Sequence, residues 1–114
     1  MWTIGIGHTK TARAWQTITK EQAIALFKQD IRVFERGVEG LLTVETTQPQ
    51  FDALVSFAFN LGLGALRSST LLKRHNRMQF DKAANEFGRW VNASGERMLG
   101  LVRRRAAERD LYLS

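Results

Sequence analysis

The run Phe51-Asp52-Ala53-Leu54-Val55-Ser56-Phe57-Ala58-Phe59-Asn60-Leu61 limits what this chain can fold into more than any other stretch. It is apolar almost all round a helical circumference, so a helix built from it has no wide face to give to water and belongs in the middle of a core. Other elements must therefore cover it. Pro49, the only proline, stands near the first helical turn, where its missing N–H costs nothing, so the helix is expected to start around Thr46 or Thr47. Gly62-Leu63-Gly64 is expected to end it.

The covering elements are legible in the flanking sequence. Thr19-Lys20-Glu21-Gln22 has the form of a capping box, and Ile24, Phe27, Ile31, Phe34 and Val38 follow at spacings of three and four residues. This predicts an amphipathic helix that ends at Gly37 to Gly40, where glycine can take a left-handed cap. Downstream, Ser68 or Ser69 caps a short helix to about His75. Phe80, Ala83, Ala84, Phe87 and Val91 mark another, interrupted near Gly88. Asn92 to Gly95 read as a turn, and Met98 to Leu113 as the last helix. At the front, Trp2, Ile4 and Ile6 alternate with Thr3 and Gly5, a period of two that reads as a short strand, followed by a polar loop over residues 10–18.

A length of 114 residues with 44% hydrophobic content suits one domain with one core. With no cysteine, disulfides, thiolate metal sites and a cysteine nucleophile are excluded. No stretch reaches the roughly eighteen apolar residues of a membrane span, and no signal peptide is visible. The net charge of +6 lies entirely in residues 67–114, which points to a polyanionic partner: nucleic acid, bacterial envelope or acidic membrane. Charge alone does not choose among them.

The string Thr3-Ile4-Gly5-Ile6-Gly7-His8-Thr9 is the densest local motif. A phosphate loop is a weak reading, since the third glycine and a Walker lysine are missing, and on composition a sheet edge with glycines for close packing is preferred. The string nevertheless resembles, nearly letter for letter, a segment of the phage lysozyme family, muramidases that cut between N-acetylmuramic acid and N-acetylglucosamine. Gln48-Pro49-Gln50-Phe51 through Gly62 is similar to that family's central helix. Ser68-Ser69-Thr70-Leu71-Leu72, Arg89-Trp90-Val91-Asn92 and Gly100-Leu101-Val102-Arg103-Arg104-Arg105 are similar to its later blocks, in its order.

The resemblance implies a lysozyme-like α+β fold, mainly α: a residual β lobe over residues 1–18, a linking helix over 19–40 and a helical lobe over 46–114. It implies an endolysin hydrolysing the β-1,4 bond of peptidoglycan with no cofactor and no metal, held in the host cytoplasm before lysis and acting on the cell wall. The family's catalytic order is Glu, eight residues, Asp or Cys, five residues, Thr. Thr3 matches the threonine, and the two acidic positions fall before Met1, so the chain as written is expected to be inactive or impaired. Thr3 does not ionise near neutral pH and cannot serve as the acid. Glu21, Glu35, Glu39 and Glu86 ordinarily read as solvated helix faces and are weak stand-ins.

By the same resemblance, His8, Thr9, Phe59, Asn60 and Thr70 border the glycan cleft. Without it, His8 is an ordinary turn or core histidine, and Phe59 and Asn60 are core and helix-terminus residues. His75 is the only other histidine, and with neither a His-x-x-x-His spacing nor a Cys/His cluster a metal role is not expected. Arg103, Arg104 and Arg105 point about 100° apart and cannot share one face. Arg104 and Arg105 instead reach Glu108 at four and three residues, an expected solvated pairing worth a few tenths of a kcal/mol. By resemblance, an arginine of this helix faces the catalytic glutamate. Two other readings are a non-catalytic peptidoglycan-binding remnant and, with charge as its only support, a basic nucleic-acid-binding module; nucleic acid is not the expected partner. An exposed Trp2-Ile4-Ile6 edge predicts self-association or strand exchange into a homo-oligomer.

Overall fold

The computed structural model of the protein describes residues 20–114, with side chains from residue 29 onward. The expected strand at 1–9, the loop after it, Thr19 and the side chains of Ile24 and Phe27 lie outside the described residues.

Six helices follow one another: α1 Lys20–Leu41, α2 Gln48–Leu61, α3 Leu63–Arg67, α4 Thr70–Asn76, α5 Phe80–Glu86 and α6 Leu99–Leu113. A 3-10 turn at Phe87–Arg89 and an antiparallel hairpin, β1 Asn92–Ala93 and β2 Glu96–Arg97, separate α5 from α6. Among the described residues the architecture is thus mainly α, and no helix is long and apolar enough to cross a membrane.

The all-round apolar helix is α2, and it occupies the centre. Ala53, Leu54, Phe57 and Ala58 are wholly buried, with α1, α3 and α6 laid against them. Its start is a full capping box: Thr47 Oγ1 accepts from the Gln50 amide at 3.2 Å, and Gln50 Oε1 accepts from the Thr47 amide at 2.9 Å. At its end Gly62 takes φ +102°, a conformation that only glycine adopts cheaply, and the chain restarts at once as α3. Leu63–Arg67 forms a helix that no sequence signal predicts. Five residues are too few to show a period, and what holds them is the burial of Leu66.

α1 ends at Leu41, next to the expected Gly37 to Gly40, but without the left-handed glycine cap, since neither glycine has a positive φ. Gly37 serves close approach: a Cβ there would lie 2.4 Å from Leu63 Cδ1, so glycine lets α3 press onto α1. The carbonyl end of α1 is closed from a distance by Asn76, whose Nδ2 donates to Leu41 O at 3.0 Å and whose Oδ1 accepts from the Thr43 amide at 3.1 Å.

Ser69 caps α4, its Oγ accepting from the Leu72 amide at 3.1 Å and donating to Leu66 O at 2.6 Å. α4 closes in a Schellman motif, with Gln79 N donating to Arg74 O and Met78 N to His75 O, both at 2.9 Å. Met78 occupies its left-handed position at φ +61°, where glycine is usual. α5 is shorter than its apolar spacing predicts, ending at Glu86, and Val91 lies beyond it, accepting from the Met98 amide at 2.8 Å. The expected turn at Asn92 to Gly95 is a hairpin in which Ser94 (φ +54°) and Gly95 (φ +80°) make the two-residue connection.

Candidate functional site

α1, α2 and α6 enclose an open cavity of about 450 Å³, lined by Ile31, Glu35, Asp52, Val55, Ser56, Phe59 and Arg104. Helical spacing makes it: Asp52, Val55, Ser56 and Phe59 fall three and four residues apart on α2, and Ile31 and Glu35 four apart on α1. Phe59 forms an aromatic wall, its ring edge-on to Phe34 with centroids 5.3 Å apart and planes at 76°. Ser56, two carboxylates and a guanidinium supply the polar lining. An aromatic wall with hydroxyl, carboxylate and guanidinium groups provides both the stacking surface and the directional hydrogen bonds that a sugar uses.

Beneath the cavity a charged cluster ties α6 to α2. Glu108 Oε2 accepts from Ser56 Oγ at 2.5 Å and from Arg105 Nη2 at 2.9 Å, and Arg105 Nε approaches Oε1 at 2.6 Å. That last contact is close but poorly aligned, so it counts as an ion pair and not as a hydrogen bond. Arg105 also lies over Phe57, 5.4 Å from the ring centroid. The i,i+3 and i,i+4 pairing read from sequence is therefore real, but its expected solvation is not. Arg105 is 1% exposed and Glu108 3%, leaving only Arg104 at the surface. Arg104 contacts Glu108 at 3.4 Å and Ser56 Oγ at 3.4 Å, joining the buried cluster to the cavity.

A second, uncharged cluster lies one turn further along α6. His75 is wholly buried, with Nδ1 2.6 Å from the Tyr112 hydroxyl and Nε2 2.8 Å from Thr46 Oγ1. Burial lowers the imidazole pKa below its ordinary value and raises that of the Tyr112 phenol.

Of the residues expected at the cleft, Thr3, His8 and Thr9 lie outside the described residues. Phe59 lines the cavity. Asn60, next to it on α2, has a buried Oδ1 with no hydrogen-bond partner among the described residues. Thr70 is exposed at the first position of α4 and does not line the cavity. Of the acidic stand-ins, Glu35 lines the cavity, Glu39 lines another beside the linker between α1 and α2, and Glu86 pairs with Arg89 at 3.0 Å. The side chain of Glu21 lies outside the described residues. Glu35 shares the cavity with Asp52, but Asp52 is exposed and accepts from Gln48 Nε2 at 2.8 Å, whereas a general acid requires apolar burial. Among the described residues no group of three or more His, Asp or Glu side chains could hold a metal. Sequence reasoning did not bring Ser56 to the site, because an isolated serine in an apolar helix carries no signal until a partner from α6 reaches it.

This cavity sits on a fold that comparison with known proteins identifies. The profile of the phage lysozyme family matches residues 1–108, and the chain belongs to that family. It is 51% identical over 114 residues to the endolysin of Bacillus phage B103, covering 99% of this chain and 43% of that protein. It is 38% identical over 117 residues to the endolysin of Salmonella phage P22, covering 98% of this chain and 80% of that one. Among solved structures, the muramidase domain of SpmX from Asticaccaulis excentricus superposes with a TM-score of 0.79 at 38% identity, over 85% of this chain and 69% of that chain. The mainly helical, lysozyme-like fold expected from the resemblance is the fold found. The chain spans less than half the length of its Bacillus phage B103 relative.

Proposed function

We propose that the chain belongs to an endolysin that hydrolyses the β-1,4 bond between N-acetylmuramic acid and N-acetylglucosamine in peptidoglycan. The observation that carries this is the family match across residues 1–108, joined by identity to named endolysins and a lysozyme-type fold. In this reading residues 1–18 are a residual β lobe, 19–40 the linking helix and 46–114 the helical lobe. Thr3 positions the attacking water, and His8, Thr9, Phe59 and Asn60 border the glycan, Phe59 through its aromatic face, with Thr70 meeting it only beyond the cavity that Phe59 lines. The protein waits in the host cytoplasm and meets the wall at lysis. The Trp2-Ile4-Ile6 edge promotes exchange between copies.

Two measurements on the 114-residue chain test the reading: turbidity loss with release of new reducing ends from purified peptidoglycan, and co-sedimentation with the same insoluble material. Binding with cleavage supports the hydrolase as written. Binding without cleavage supports a non-catalytic peptidoglycan-binding remnant. Absence of both refutes the glycan cleft. Phe59→Ala is expected to weaken co-sedimentation, with Phe59→Leu, which keeps the apolar contact to Phe34, controlling for folding.

A further inference from the structure

Residues 42–47, the linker between α1 and α2, are held onto α4 at two adjacent residues. Asn76 grips the near end through Leu41 O and the Thr43 amide. His75 grips the far end through Thr46. The hydrogens of this second grip can be assigned. The arrangement that satisfies every group has Thr46 Oγ1 donating to Val44 O at 3.1 Å and accepting from His75 Nε2, which then carries the ring proton. Nδ1 is then bare and accepts from the Tyr112 hydroxyl at 2.6 Å.

Only the neutral ring satisfies this arrangement. A second proton, on Nδ1, would meet the Tyr112 O–H donor to donor, and no other acceptor for that hydroxyl occurs among the described residues. The ring is 0% exposed and lies against the rings of Phe80 and Tyr112, with centroids 5.2 and 5.7 Å away. Among the described residues no counter-charge reaches it. Glu45 on the linker, Asp81 and Lys82 on α5, and Arg109 and Asp110 on α6 are exposed. Glu108 is committed to Arg105, and on α4 itself Lys73 is exposed while Arg74 donates to Gln79 at 2.9 Å. The last turn of α4 favours a cation at His75 through its carbonyl end, but burial outweighs it.

We propose that His75 is an acid-released latch: protonation of its ring frees residues 44–47 and the last turn of α6 from α4, while Asn76 retains the near end of the linker as a hinge. Thr46 and Phe80, the latch's neighbours, also line a surface cavity of about 360 Å³ with Glu45, Thr47, Gln50 and Met78. Release opens this cavity inward and lets water and the Glu45 carboxylate approach the imidazolium. Because burial holds the folded pKa below the ordinary 6.5, the latch is fully closed above that value and loosens as pH falls below it.

Hydrogen exchange of the whole chain at about pH 7.5 and about pH 5, corrected for intrinsic rates, tests this. Amides of 44–50 and 111–114 are expected to open more often at the lower pH, read as the ratio of their exchange rates at the two pH values. Amides of 54–58 should not change, and His75→Gln should abolish the pH dependence. Should that variant not fold, Tyr112→Phe keeps the ring packing, cuts one arm and should accelerate the 111–114 amides already at the higher pH. Uniform loosening, unchanged exchange, or a His75 ring that titrates at its ordinary value with the amides closed would each overturn the latch.

Discussion

α6 carries two buried polar joints, one turn apart, built on opposite principles. At Arg105 and Glu108 it meets α2 through charges, with Ser56 as a neutral partner. At Tyr112 it meets α4 through neutral groups. The neutral joint pairs every nitrogen and oxygen it buries. The charged joint leaves Arg105 Nη1 with no partner among the described residues and Arg105 Nε poorly aimed at Glu108 Oε1. Buried ion pairs rarely exceed a hydrophobic replacement in stability, yet losing one member strands a charge. The charged joint is therefore costly to break singly, and the neutral joint holds two groups whose titration burial shifts.

The largest test of this contrast is Glu108→Ala. It strands the Arg105 guanidinium in the core and is expected to cost about 3–5 kcal/mol, read from the urea midpoint. The paired replacement Arg105→Met with Glu108→Leu should recover most of that loss. A double variant as unstable as the single would break the comparison. Ser56→Ala removes one donor from the carboxylate and should cost about 1–3 kcal/mol by the same measurement.

The neutral joint gives a pH profile with two edges. His75 has a lowered folded pKa, so its contribution is complete above the unfolded value of about 6.5. It falls by about 1.4 kcal/mol per pH unit below that, down to the folded value. Tyr112 has a raised pKa, so its contribution is complete below about 10 and falls at the same slope above it. Unfolding midpoints across pH should show a plateau between these limits. In Tyr112→Phe the alkaline edge should vanish.

The smallest effect is expected at Met78. Its left-handed conformation closes the motif that positions His75 O, and Met78→Gly should gain up to about 1 kcal/mol, measured as a higher Tm. A loss there would mean that the Met78 side chain stabilises the fold through its packing beside Phe80.

Local chemistry made much of the helical frame readable. Thr47 with Gln50, Pro49 at the start of α2 and Ser69 before α4 are cap signals whose partners lie three residues away, so they work wherever the helix sits. Gly37 shows where that reading stops. As a string, Gly37 to Gly40 looks like a helix end; in space, Gly37 is the point where Leu63 comes closest to α1. The candidate site divides the same way. Phe59 could be placed by its block and its helix, whereas Ser56 acquires its role only from Glu108, 52 positions away.

The sequence by itself determined that an all-apolar helix would occupy the centre, that amphipathic helices would cover it, and that Arg104 and Arg105 could reach Glu108. Periodicity and i,i+4 geometry are properties of a single helix. Only the packing of the helices places the Arg105–Glu108 pair in the core, brings Asn76 to close α1, and sets His75 between Thr46 and Tyr112 with no charge beside it among the described residues. Burial and long-range partners depend on which helix faces come together, and dielectric surroundings, which set the energy of a charge or a proton, exist only once they have.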